Sequence, residues 1–462
     1  MTVEGKPEAS LSRLERTVAS SGTNSPNNQI GKVGRGEILA WAAYDIANAT
    51  YGTVVATAVY NAYFVDVICG KAPGIGAGNG TVLLTFIICI SAFSIALTAP
   101  VVGTIADATA AKKRILFGST FLCILCTASL GFIDPGGVWW AFTALALANI
   151  FFGTGEDLIA SFLPELTTQE HMGRISAIGW AAGYVGSLIA LGLCGTYIKW
   201  AKDSGQMETQ YVPTTMFICA ALFFLFSMPT LIWLKERAVP DPLARGKNYI
   251  TVGFRRLGHT IQHARHYRDL FNFLLCLFVY SCGTTTVIHL ASVYAQQVLK
   301  FTAQDSILMI LVVSVTAAIG AGIFGYVQDR IGSIKTLAIT LTVWTLAILI
   351  ACFAQEKAHL WVAANFVGIA MGATGSAGRA LVGQFSPEGR SGEFLGLWGV
   401  AHKLATATGA MTFGSVTFLT GNNYRMALFS CAVFFVIGMI LLFRVDEKRG
   451  RLAAKLDADI PV

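Results

Sequence analysis

Charged side chains are scarce in this chain. Asp, Glu, Lys and Arg make up 13% of the 462 residues, against 54% hydrophobic ones. A soluble domain carries about 25% charged residues, so a soluble enzyme of this length is excluded. A nucleotide-binding loop is missing. Gly74, Gly76 and Gly78 imitate one, but no strand precedes them and no Lys-Ser/Thr follows. ATP hydrolysis is thereby excluded as the drive, which leaves ion coupling or facilitated flow. Metal-ligand spacing is missing too. Cys123-x-x-Cys126 has no second pair, and the ten cysteines are mostly scattered in apolar runs, so no cofactor is expected. No nucleophile and base converge in the pattern, which argues against an intramembrane enzyme. Residues 1–36 are polar without an apolar centre, so no cleavable signal peptide is expected.

Long apolar runs are what the chain has in abundance. Runs of about 20 residues recur from end to end, each long enough to cross a bilayer as a helix. Twelve spans are expected near 37–65, 80–105, 114–133, 139–163, 175–198, 213–234, 270–295, 304–328, 335–354, 360–384, 392–419 and 424–443. The longest polar interruption divides them six and six. The organisation read from this is a tail (1–36), a six-helix half (37–234), a linker (235–269), a second half (270–443) and a second tail (444–462). The fold class is an all-α integral membrane protein of twelve helices in two six-helix halves.

Charge sets the expected orientation. With both termini inside, the inner segments and inner helix ends hold 26 of the 33 Lys and Arg, Arg379 at the inner end of span ten among them. The outer loops hold Lys71, Lys199, Lys202, Lys300, Lys357 and Arg425, and Lys403 lies inside a span. Basic residues favour the cytoplasmic side. The net charge of +7 then reflects topology and anionic lipid headgroups, and no nucleic-acid partner is expected. In the linker, His259, His263 and His266 share a face with Arg255, Arg256, Arg265 and Arg268. A basic amphipathic helix on the lipid surface is a better reading of that face than a metal site. Asn79-Gly-Thr81 matches a glycosylation acceptor on an outer loop, relevant only in a eukaryotic host.

One polar loop occurs twice. Gly103-Thr-Ile-Ala-Asp107-Ala-Thr-Ala-Ala-Lys112-Lys113 and Gly325-Tyr-Val-Gln-Asp329-Arg330-Ile-Gly332-Ser-Ile-Lys335 both separate apolar runs. Gly103 and Gly325, Asp107 and Asp329, and Lys113 and Lys335 are each 222 residues apart. Gly173-Arg174 and Gly389-Arg390 echo each other across 216 residues at the inner starts of spans five and eleven. A repeat half a chain apart points to a two-halved transporter. An Asp near a helix N-terminus is favoured by the helix dipole, and Arg forks onto carboxylates. Asp107, Asp329 and Arg330 are therefore candidates to latch the inner faces of the halves in an outward-open state.

The repeated loop resembles the inner-loop motif of the major facilitator superfamily, roughly Gly-x-x-x-Asp-Arg-x-Gly-Arg-Lys. Both copies fall where that family has them, between spans two and three and between eight and nine. Ala108 stands where the pattern has Arg, so the first copy is expected to be the weaker latch. Three further stretches narrow the branch. They are Trp41-Ala-Ala-Tyr44-Asp45-Ile-Ala-Asn48, the run from Phe162-Leu-Pro164-Glu165 to Gly173-Arg174-Ile-Ser-Ala-Ile-Gly179-Trp180, and the run from Gly378-Arg379 to Glu393-Phe394-Leu-Gly396-Leu397. Together they resemble the vacuole-effluxer-like, or unknown major facilitator, branch over about residues 37–443. The resemblance implies the two-halved transporter fold. It also implies amino-acid efflux as one activity of the branch, since yeast vacuolar members are linked to it.

Charges inside spans are expensive and mark function by default. Counting helical rise, Asp45 lies about 12 Å from the inner edge and Lys403 roughly 16 Å. Both are near the midplane, where transporter sites lie, with opposite signs and in different halves. A direct or substrate-bridged pair is expected; a purely structural pair is the alternative. Tyr44 and Asn48 share one broad helix face with Asp45 and offer a hydroxyl and an amide. Span seven adds Tyr280, Thr284 and His289, although helical threonines often bond back to their own helix. Span ten adds Asn365. His402 adjoins Lys403 and titrates near neutral pH, so it is a candidate proton relay. At the inner end of span four, Glu156 or Asp157 pairing with Arg379 would make a gate, or either carboxylate would carry a coupling proton. Many drug–proton antiporters of this superfamily have an Arg in span four, and none is present here.

The expectation is a secondary active transporter of a small polar organic solute, amino acids favoured, using protons as the coupling ion. It would act as a monomer in membrane lipids, in a bacterial inner membrane with both termini cytoplasmic. An exporter of drugs or siderophore-like compounds is the alternative cargo reading. A receptor that kept the fold and lost transport is the alternative class.

Overall fold

A backbone immersed in hydrocarbon must satisfy its own hydrogen bonds, so apolar runs of this length fold as helices. A computed structural model describes residues 33–72, 76–238, 267–301, 303–421 and 423–457. The linker face of His259, His263 and His266 and the glycine loop at Gly74 lie outside the described residues. No strand occurs among those described. The described residues from Gly36 onward form one packed unit.

Each of the twelve expected spans coincides with a long helix. In chain order they are α1 (Arg35–Thr53), α2 (Gly76–Thr109), α3 (Lys112–Ser129), α4 (Val138–Ser161), α5 (Met172–Asp203) and α6 (Glu208–Trp233). The second set is α7 (Arg268–Leu299), α8 (Ala303–Ile331), α9 (Ser333–Cys352), α10 (Lys357–Phe385), α11 (Ser391–Leu419) and α12 (Tyr424–Leu442), followed by a short α13 (Glu447–Asp457). Beyond Thr53, α1 continues as two π segments, Val54–Ala58 and Phe64–Cys69, around one α turn. Eleven described helices are long and apolar enough to cross a membrane. The twelfth, α11, is long enough, but its glycines, threonines, His402 and Lys403 dilute its hydropathy.

Apolar side chains face outward along the helices: Phe86, Phe93, Leu125, Ile323, Leu346 and Ile440 are all exposed. Such a surface suits lipid rather than water. Exposed aromatics collect at the ends away from the repeated loops, among them Phe132, Trp139, Trp140, Trp200, Phe353 and Phe418, as in the aromatic belt of a membrane interface.

At the loop end, each half is tied by charges that follow its sixth helix. Glu236 accepts from the backbone N–H of Lys112 (2.6 Å) and Lys113 (3.2 Å), capping the start of α3. Glu447 does the same for Ser333 (2.9 Å) and Ile334 (3.2 Å) at the start of α9. Arg237 forks onto Glu37 at the start of α1 (2.7 and 2.8 Å). Arg449 forks onto Asp269 at the start of α7 (2.6 and 2.7 Å). These carboxylate hydrogen bonds raise both arginines above their ordinary value. Helix N-termini leave N–H groups without intrahelical partners, and a cap supplies one. Glu236→Ala and Glu447→Ala should each lower unfolding free energy by about 1 kcal/mol, the usual worth of a lost cap. Their effects should add, because the two sites are in separate halves. Chemical unfolding in detergent tests this, and unchanged midpoints for both variants would refute it.

Candidate functional site

The two halves meet along two glycine-lined seams. In the first, α2 packs on α11. A Cβ on Gly103 would lie 2.1 Å from the Gly392 carbonyl oxygen, and one on Gly396 would lie 2.8 Å from that of Ala99. In the second, α5 packs on α8, and a Cβ on Gly325 would lie 2.3 Å from Ala177 Cβ. Only residues without side chains allow such approach between backbones.

The repeated Asp residues fasten these seams in matching ways. Asp107 accepts from the N–H groups of Gly392 (3.1 Å) and Glu393 (3.0 Å), in the first turn of α11. Asp329 accepts from the N–H of Arg174 at 3.3 Å, in the first turn of α5. The first copy is not the weaker one. Lys112, 1% exposed, reaches Asp107 (2.9 Å), Glu165 (2.7 Å) and Ser391 (2.7 Å). It stands in for the Arg missing at Ala108, from four positions further along. Arg330 is exposed at the surface, which does not put it in the seam beside Asp329.

Deeper in the bundle, the structure exchanges the partners expected from helical depth. Asp45 pairs with Arg379 (3.1 Å) and Lys403 with Glu156 (3.0 Å). The direct Asp45–Lys403 pair does not form, nor does a pairing of Glu156 or Asp157 with Arg379. Helix neighbours decide this. α11 runs against α2 and α4, while α10 runs against α5, so Lys403 meets α4 and Arg379 reaches the α1–α5 side. Each pair still joins one half to the other.

Arg379 is heavily held. Its Nε donates to Ser176 Oγ (3.1 Å) and its Nη2 to the Ser176 carbonyl (2.8 Å). Its guanidinium lies 4.8 Å from the Trp41 ring centre and 5.7 Å from that of Trp180. Gly179 makes room for this arrangement: a Cβ there would meet Asp45 Oδ2 at 2.2 Å. Trp41 is pinned in turn by its N–H to the Ile159 carbonyl (2.8 Å). The second pair is looser. Glu156 is 34% exposed and Lys403 20%, although both lie well inside their helices. His402 stacks on Trp398 (6.0 Å between ring centres), and both His402 and the exposed His289 are within electrostatic reach of Lys403.

Other expected residues separate. Tyr44 does not share the Asp45 face: its hydroxyl bonds Thr120 of α3 (2.7 Å) and approaches Gly155 of α4. Adjacent helix residues point about 100° apart, so Tyr44 turns into its own half. Asn48 is buried, and its Oδ1 has no hydrogen-bond partner. Tyr280 is buried against Gly378 of α10. Thr284 bonds back to the Ser281 carbonyl (3.3 Å), and Asn365 to that of Trp361 (2.8 Å). Ser176 and Trp180 join the site by holding Arg379, and Tyr184 lies one turn further along α5. Yet Trp180 Nε1 and the Tyr184 hydroxyl, one turn apart on α5, also have no hydrogen-bond partner. Their i, i+4 spacing in a span was the available signal.

Known proteins are similar to this chain over most of its length. The profile described as "Vacuole effluxer Atg22 like" matches residues 79–455. The chain belongs to the vacuole effluxer Atg22-like family. An uncharacterized MFS-type transporter, YxiO, of Bacillus subtilis is 28% identical over 426 residues, covering 92% of this chain and 98% of that one. Autophagy-related protein 22 of Yarrowia lipolytica is 25% identical over 342 residues, covering 67% of this chain and 57% of that one. Among solved structures, the proton:xylose symporter XylE superposes with a TM-score of 0.68 at 15% identity, covering 94% of this chain and 99% of that one. That likeness shows the major facilitator fold. The family member described here is thus an integral membrane protein of the transporter class.

Proposed function

We propose that this chain carries a small polar organic solute, an amino acid above all, by alternating access coupled to protons. The observation that supports this is the pair of embedded ion pairs, Asp45–Arg379 and Glu156–Lys403, each with one member in each half. When the halves rock apart at the loop end, both pairs must part. Freed charges in a bilayer interior need new partners. A zwitterion offers a carboxylate to Lys403 and an ammonium to Glu156, so it can take the place of the lost bond. The imidazoles of His402 and His289, within electrostatic reach of Lys403, are candidate proton acceptors in this reading. The Lys and Arg distribution supports cytoplasmic termini, and short loops support a bacterial inner membrane. One chain holds both halves and works as a monomer.

A second cargo reading draws on Trp180 and Tyr184, whose ring centres are 6.0 Å apart. An aromatic wall with two unused polar atoms also suits a drug or siderophore-like compound.

Radiolabelled uptake into proteoliposomes tests the main reading. An amino-acid panel with and without an imposed pH gradient should give gradient-dependent uptake, and Lys403→Ala should abolish it. No uptake of any amino acid by folded protein would sink the amino-acid reading and favour the second cargo. Uptake unaffected by Lys403→Ala would remove Lys403 from the route.

A further inference from the structure

Glu156 is spent on Lys403, but its neighbour Asp157 is spent on nothing. Asp157 is 5% exposed, and neither of its carboxylate oxygens has a hydrogen-bond partner. It presses on Gly399 of α11, where a Cβ would lie 2.3 Å from Oδ1 and 2.5 Å from Oδ2. With Ala99, Val102, Gly103 and Gly392 it lines a narrow crevice. That crevice lies along the first glycine seam, and Gly399 is about two helical turns from the point where Asp107 fastens α11.

The charges that face Asp157 are Lys403 on α11 and Glu156 on its own helix. Lys403 gives its hydrogen bond to Glu156. Nearer the loops, Asp107, Lys112, Glu165 and Glu393 are tied to one another or to neighbouring groups. A bare carboxylate buried without a donor is costly, whereas the neutral acid is tolerated. The contact with Gly399 leaves no room for a water to supply the donor on that side.

We propose that Asp157 is a proton-binding site that sets whether the α2–α11 seam can close. With the proton on, α11 seats Gly399 against a neutral carboxyl. When α11 moves away, water enters, the O–H bond breaks, and the proton passes to water and leaves a hydrated carboxylate. One proton is bound and released per opening. This rests on the rocking motion proposed above and gives its coupling ion a residue.

Hydrogen–deuterium exchange of the full chain in lipid nanodiscs tests it without any substrate. The readout is protection of the 391–400 backbone across a pH series, corrected for intrinsic exchange. Wild-type protection should fall about tenfold as pH rises, reporting an opened seam. Asp157→Asn, which cannot lose a proton, should keep full protection throughout. Asp107→Asn, which unfastens the same seam, should lower protection at every pH. Gly399→Ala, which pushes a methyl group onto the carboxyl, should also lower it. A flat wild-type profile overturns the proposal, and so does an Asp157→Asn profile that follows wild type. Because no cargo is present, failure of amino-acid uptake would leave this result standing.

Discussion

Arg379→Ala should be the most damaging single substitution in the bundle. It strands Asp45, which is 14% exposed, and removes the bonds to Ser176. Removing one member of a buried pair costs about 3–5 kcal/mol. Chemical unfolding in detergent should show a loss of that size, and uptake should disappear. The double variant Asp45→Ala with Arg379→Ala separates the two roles. Without a stranded carboxylate, part of the lost stability should return, while transport should not. If the double variant is as unstable as the single one, Asp45 does not depend on Arg379. If it transports, the pair is a fastening with no part in the route.

The second large effect is expected from a side chain forced into the first glycine seam. Gly103→Val places a branched side chain where even a Cβ would lie 2.1 Å from the Gly392 carbonyl. Overpacking of this kind costs about 1–3 kcal/mol, and the helices can escape it by parting. The seam should stay open, the Asp107 bonds to α11 should break, and uptake should fall by about tenfold, equivalent to roughly 1.4 kcal/mol. A cysteine introduced by Ser391→Cys should then react with a maleimide far faster in the Gly103→Val background. Gly322→Val is the control, since nothing lies within 4 Å of a Cβ there. Equal labelling and equal uptake in the two valine variants would remove the seam from the transport cycle.

The fold was legible because hydrocarbon thickness sets one length scale, and apolar run length reports on it directly. Even α11, the most diluted helix, kept enough apolar residues to be recognised. The charged residues were legible as a set, since a charge within a span stands out against its neighbours. Their pairing was not. Rise per residue gives depth, but neither rotation about the axis nor the identity of the adjacent helix. Asp45 and Lys403 match in depth and are opposite in sign, yet α10 and α11 approach different faces of the first half. Tyr44 shows the same gap on a smaller scale, one position away from Asp45 and pointed elsewhere. The ties after α6 and α12 are hard to read from sequence for another reason. Glu236 and Glu447 are 211 residues apart, whereas the loops repeat at 222, so the two registers do not coincide. Their flanking sequences share little beyond charge.

Those ties have a consequence for how the chain is made. Glu37, Lys112, Lys113, Glu165, Glu236 and Arg237 bond only among themselves or to neighbours in the first half, apart from the reach of Lys112 to Ser391. All of them have been polymerised once Arg237 has been added, before the first residue of α7 exists. Domains fold as units from the N-terminal side during synthesis. The first half can thus fasten its own base while the second is still being translated. Asp107 and Lys112 must then wait for Ser391, Gly392 and Glu393, so the seam between halves closes only after most of the chain has been made.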